Sequence, residues 1–254
     1  NYSLKSEKFH HEIAPNIDVY EFFGDKKYKV KTNQWGMRIA NSEDYIHKNS
    51  KKNIGFIGDS FIYGSGINYN DHFISLMNSD NDNYNYLNLG FVSYSPSIYY
   101  KKLKFLIEER DIKFNKIFIF VDHSDIQDEG IFYREDINGN IVRKWLSDKE
   151  NKNKQKKYFF KNYLKQNSFI YKFYELIWAM NINYGPRECI NNRSKINNFI
   201  KYLDYERFGY GIDQTLQNKK WVKEGQNKIL QYLFKIKNLL QKHKIDLKIV
   251  YYPS

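Results

Sequence analysis

NIGFIGDSFIYGSG, residues 53–66, is the stretch on which the reading of this chain turns. A short apolar run ends at Gly58-Asp59-Ser60, and Gly64, Ser65 and Gly66 follow almost at once. A run of four to five apolar residues closed by glycine reads as a buried strand leaving the core through a tight turn. Ser60 then stands just beyond the strand's carboxyl end. In an open parallel sheet that edge is where ligands bind. Taken alone, Gly-Asp-Ser is also an ordinary strand-to-loop turn, so its neighbours have to decide.

Working outward, three further runs have the composition of strands: YNYLNLG (84–90), KIFIFV (116–121) and LKIVYY (247–252). Near-continuous apolar strands of this kind are expected in parallel sheets covered on both faces. Helical patterns separate them. Asn70 or Asp71 can cap a short helix in NDHFISLMNS. Ser95-Pro96 opens a second helix, with Ile98, Leu103, Leu106 and Ile107 on one face. Lys220 to His243 repeats the theme, with Ile229, Leu233, Ile236 and Leu240 at helical spacing. Strand and helix in alternation predict an α/β fold, a parallel sheet joined by right-handed crossovers. The strands are expected near 54–58, 84–89, 116–121 and 247–252. Residues 130–219 break the alternation and read as a mostly helical insertion within one domain spanning 1–254. FYREDINGNIVRKW at its start resembles a hairpin turning at Asn138-Gly139.

Composition narrows the function classes. The chain has 254 residues and 18% aromatics, enough for one substantial core, and no run of about 18 apolar residues. A net charge of +12 suggests a nucleic-acid partner. The excess is mostly lysine scattered among Asn, Ile and Tyr, as AT-rich codon usage produces, and no nucleic-acid motif accompanies it. A nucleic-acid partner is therefore not expected. The single Cys189 excludes an internal disulfide. His10-His11 has no cysteine or carboxylate spaced to complete a metal site, so neither metal nor cofactor is expected. The first residues lack the layout of a signal peptide. An upstream export signal is compatible with the missing initiator Met.

With Gly-Asp-Ser after the first strand, Gly90 after the second and Asp122-His123-Ser124-Asp125 after the third, the chain resembles the SGNH (GDSL-type) hydrolase family. TNQWGMR (32–38) and IVYYPS (249–254) are also similar to segments of members associated with bacterial surface polysaccharides. The resemblance implies a three-layer, flavodoxin-like sandwich. It implies Ser60 as nucleophile and an oxyanion hole built from the N–H groups of Ser60 and Gly90. Ser124 stands where the family usually has an asparagine donor. Asp59, His123 and Asp125 would shape the site, although Ser124 or Asp125 also suits a helix N-cap. The family's base is a histidine in a D-x-x-H motif after the last strand. None follows the fourth strand here, so the base is expected beyond residue 254. His123 is the one internal substitute at the correct edge. The resemblance implies an esterase removing acetyl groups from an envelope or periplasmic carbohydrate. An O-acyltransferase using the same serine and a non-catalytic glycan-binding protein are the alternatives.

Overall fold

The first strand of the central sheet, Lys52–Ile57, carries alternate side chains into two separate cores, and that division organises the molecule. The structure, a computed structural model, describes residues 3–6, 8–23, 26–40, 51–80, 83–143 and 220–252. Four short strands precede the sheet: β1 (Ser3–Ser6), β2 (His10–Ile13), β3 (Asp18–Phe23) and β4 (Lys26–Lys31). They form two antiparallel ribbons, β1 with β2 and β3 with β4. β5 (Lys52–Ile57) leads through α1 (Ser60–Tyr63), a 3₁₀ turn at Tyr69–Asp71 and α2 (Phe73–Asp80) to β6 (Tyr84–Asn88). α3 (Pro96–Lys104) ends in a π-helical turn, Phe105–Glu109, before β7 (Lys116–Val121). α4 (Ser124–Gln127) runs through a second π turn, Asp128–Phe132, into a hairpin of β8 (Tyr133–Glu135) and β9 (Ile141–Arg143). α5 (Lys220–Lys242) and β10 (Asp246–Tyr251) complete the described elements.

The sheet is four-stranded and wholly parallel, in the order β10-β7-β5-β6. The α/β class is therefore established, with each expected strand found within two residues of its predicted bounds. Leu87, Ile117 and Ile119 face a core shared with Ile98 and Leu103 of α3 and Ile229, Ile236 and Leu240 of α5. Ile54, Phe56 and Tyr86 face the other way, toward Ile62 of α1 and Ile74 of α2. The start of α2 departs from expectation. His72, not Asn70 or Asp71, supplies the side chain that accepts the Ile74 N–H, at 3.2 Å. The hairpin turns at Asn138-Gly139 as expected, with Gly139 at a φ of +76° and Asp136 Oδ1 accepting the N–H groups of Asn138 and Asn140.

Residues 1–143 with 209–254 form one compact unit, and Lys144–Phe208 form a second. The second unit, and with it the expected helical character of the insertion, lies outside the described residues.

Candidate active site

The carboxyl ends of the parallel strands bring together Asp59-Ser60, Asn88 to Gly90, Asp122 to Asp125 and Tyr251-Tyr252. Ser60 is the first residue of α1. Asp59 is its N-cap, with Oδ1 accepting the Phe61 N–H at 3.0 Å, and Gly64 ends the helix in the left-handed region at a φ of +79°. The four-residue helix is thus closed at both ends by local chemistry. Ser60 is partly exposed, and its hydroxyl makes no hydrogen bond among the described residues.

The side chains of Asp59, Asp122, Ser124 and Asp125 beside Ser60 are all engaged. Tyr252 donates its hydroxyl to Asp59 Oδ1 at 2.8 Å. Ser124 donates to Asp122 Oδ1 at 2.7 Å, and the Asp125 N–H reaches the same oxygen at 3.2 Å. Asp125 Oδ2 in turn accepts the Asp122 N–H at 3.1 Å, and its Oδ1 accepts from Tyr99 at 3.3 Å. These bonds hold the start of α4, but neither Ser124 nor Asp125 is its N-cap as expected: both lie within the helix, and Asp122 supplies the carboxylate that accepts a first-turn N–H. Burial, followed by repulsion from Asp122, raises the pKa values of Asp59 and Asp125 above the usual carboxylate range, Asp125 well above it. Asp128, behind them, is raised by burial and by Glu129.

The groups expected to complete an oxyanion hole are also occupied. The Gly90 N–H donates to Asn88 Oδ1 at 3.0 Å, and the Ser124 hydroxyl donates to Asp122 Oδ1. Gly90 itself packs hard on α1, since a Cβ there would fall 2.9 Å from the Tyr63 backbone nitrogen. His123 bonds through Nε2 to the Tyr251 hydroxyl at 2.5 Å, and its buried Nδ1 has no partner among the described residues. No histidine is hydrogen-bonded to Ser60 among the described residues. His72 is packed beneath α1 against Tyr69, and burial with Arg38 nearby lowers its pKa to about 4.

Two residues that hold this edge together escaped the sequence reading. Asn88 donates to Ile62 O at 2.7 Å while accepting from Gly90, so one buried amide ties α1 to the loop after β6. Its signal was a polar residue ending an otherwise apolar strand. Arg38, 2% exposed, donates to four carbonyls, those of Tyr63, Gly64, Lys29 and Ile67, at 2.8–3.0 Å. Its guanidinium lies 4.9–5.6 Å from the ring centres of Tyr28, Tyr63 and Tyr69. It fastens the loop after Ser60 to β4, which gives TNQWGMR a structural purpose. The chain also has one D-x-x-H spacing that sequence reasoning passed over, Asp44 to His47, upstream of β5 and outside the described residues. Among the described residues no group of three or more His, Cys, Asp or Glu side chains is placed to hold a metal ion. No helix there is long and apolar enough to cross a membrane. No protein-family model matches the chain, and no curated protein matches it significantly.

Proposed function

We propose that the chain is a serine esterase of SGNH type that removes small acyl groups, acetyl foremost, from a bacterial envelope carbohydrate. The observation that carries the reading is the contrast at the sheet edge. Among the described residues at the strand ends, the partly exposed Ser60 hydroxyl has no hydrogen-bond partner, whereas Asp59, Asn88, Asp122, Ser124 and Asp125 are all engaged. A strand-to-helix turn at a parallel sheet's carboxyl edge is a position from which a hydroxyl can meet a ligand. Ser60 Oγ would attack the ester carbonyl, the sugar hydroxyl would leave, and water would release the acyl group as the free acid. The Ser60 proton requires a base, for which the family resemblance supplies a D-x-x-H histidine. Transfer of the acyl group to another sugar hydroxyl uses the same first half-reaction.

The engaged Ser124 and Gly90 favour a second reading, a carbohydrate-binding protein on the same fold. Catalysis would need those donors to turn toward a developing oxyanion, and losing one such donor costs about 10²–10³ in rate. Full-length protein assayed on p-nitrophenyl acetate separates the two readings. Ser60→Ala should lower kcat/KM by about 10³-fold or more. Equal rates for wild type and Ser60→Ala would exclude the esterase and leave the binding role.

A further inference from the structure

The loop after β6 is held by a closed ring of contacts that none of the chemistry above uses. Ser93 is a non-glycine residue at a φ of +58°, and His10 is another at +84°. Such conformations cost on the order of 1–2 kcal/mol and persist only where the surroundings enforce them. At Ser93 the enforcement is visible on both sides. His11 Nε2 bonds to the carbonyl of Val92 at 2.7 Å, and the Tyr133 hydroxyl donates to the carbonyl of Ser93 at 2.8 Å. The two anchors are joined behind the loop. His10 Nδ1 lies 2.7 Å from His11 Nδ1, and the His10 ring meets Tyr133 edge-on at 5.0 Å. Tyr94 closes the ring by donating to His11 O at 3.0 Å.

The tautomers follow from this geometry. A carbonyl only accepts, so His11 Nε2 carries a proton. A neutral His11 then offers a bare Nδ1, which accepts from His10 Nδ1–H. If His11 alone were charged, His10 could still accept through a bare Nδ1; with both rings charged, two N–H groups would face each other at 2.7 Å and the ring would open. The loop lies against the candidate site. The Phe91 N–H reaches Gly58 O at 3.3 Å, the Phe91 ring packs edge-on to Tyr63 at 5.4 Å, and Gly90 abuts α1.

We propose that His11, backed by His10 and Tyr133, is a positioning residue that sets the backbone of Gly90 to Tyr94 beside Ser60, and that the clasp opens once both imidazoles are charged. The loop's relevance to catalysis rests on the esterase reading; the clasp itself does not. The surroundings oppose protonation. Desolvation is the main cause, and Lys5 of β1, Lys102 of α3 and Arg143 of β9 add positive charge, while Glu12 of β2 is the neighbouring acid. Both imidazoles have pKa values lowered to about 4.

Amide hydrogen exchange over residues 91–95, corrected for intrinsic rates, tests this between pH 8 and pH 4. Wild type should lose protection by roughly tenfold toward pH 4, the worth of one or two net hydrogen bonds. His11→Gln, whose amide can still donate to Val92 but does not titrate, should stay protected and flat with pH. His11→Phe should be open throughout. An acid loss in His11→Gln equal to that of wild type would overturn the proposal. On p-nitrophenyl acetate at pH 8, His11→Phe should lose kcat/KM about tenfold, with His11→Gln largely restored. If Ser60→Ala proves as active as wild type, only this second arm falls and the exchange result still decides the clasp.

Discussion

Lys102 shows how one residue's surroundings set its chemistry. It is 3% exposed, and among the described residues its ammonium has only the Tyr94 hydroxyl as a hydrogen-bond partner, at 3.3 Å. Desolvation lowers its pKa from 10.5 to about 8, with Glu12 pulling the other way. The folded state therefore binds fewer protons than the unfolded chain between pH 8 and 10.5, and stability from this group rises with pH across that window. Below pH 8 the full penalty applies, and a drop of this size corresponds to roughly 3 kcal/mol. Lys102→Met, an apolar side chain of similar length, should raise urea-unfolding stability at pH 7 by about 1–3 kcal/mol. The gain should shrink by pH 10. A gain independent of pH would place its origin in packing and not in the buried charge. Nothing in a Lys-Lys-Leu triplet on an amphipathic helix signals this, because the sequence does not say which lysine turns inward.

At the scale of elements, α5 and the α4 segment approach through a reciprocal pair of glycines. A Cβ on Gly225 would lie 2.2 Å from Ile126 O, and one on Gly130 would lie 2.3 Å from Trp221 O. Backbone therefore meets backbone, and Lys228 of α5 pairs with the buried Glu129 at 2.7 Å. Glu129 also accepts from Ser95 and from the Ser97 N–H, so one carboxylate links α3, α4 and α5. Gly225→Ala would gain about 1 kcal/mol in helix propensity. The clash with a carbonyl that cannot rotate away outweighs it, and the variant should lose about 1–3 kcal/mol net in urea unfolding. A stabilised Gly225→Ala would mean the helices pack further apart. The periodicity of α5 was readable from Ile229, Leu233, Ile236 and Leu240, but Gly225 carried no such sign. A glycine within a helix marks a close approach only once its partner is known.

For the whole molecule, the order of the strands ranks their stability. Among the described strands β5 and β7 lie between neighbours on both sides, whereas β6 and β10 stand at the two ends of the order, and Ile249 and Tyr251 of β10 stay 50% and 58% exposed. Native-state hydrogen exchange should accordingly be slowest in β5 and β7 and faster in β10. Slowest exchange in β10 would contradict this strand order. The sequence by itself determined the class and the spacing of the sheet: apolar runs of strand length alternate with helical periods, and burial on both faces leaves few other arrangements. It also placed Ser60 at a strand's end, because a Gly-Asp-Ser turn is local. Tertiary structure alone decided which donors around Ser60 are free. The bonds of Gly90 to Asn88, of Ser124 to Asp122, of Asp59 to Tyr252 and of His11 to Val92 include partners from two to 193 residues apart. Hydrogen bonds require contact and direction, and for the distant partners only the folding of the sheet brings them within reach.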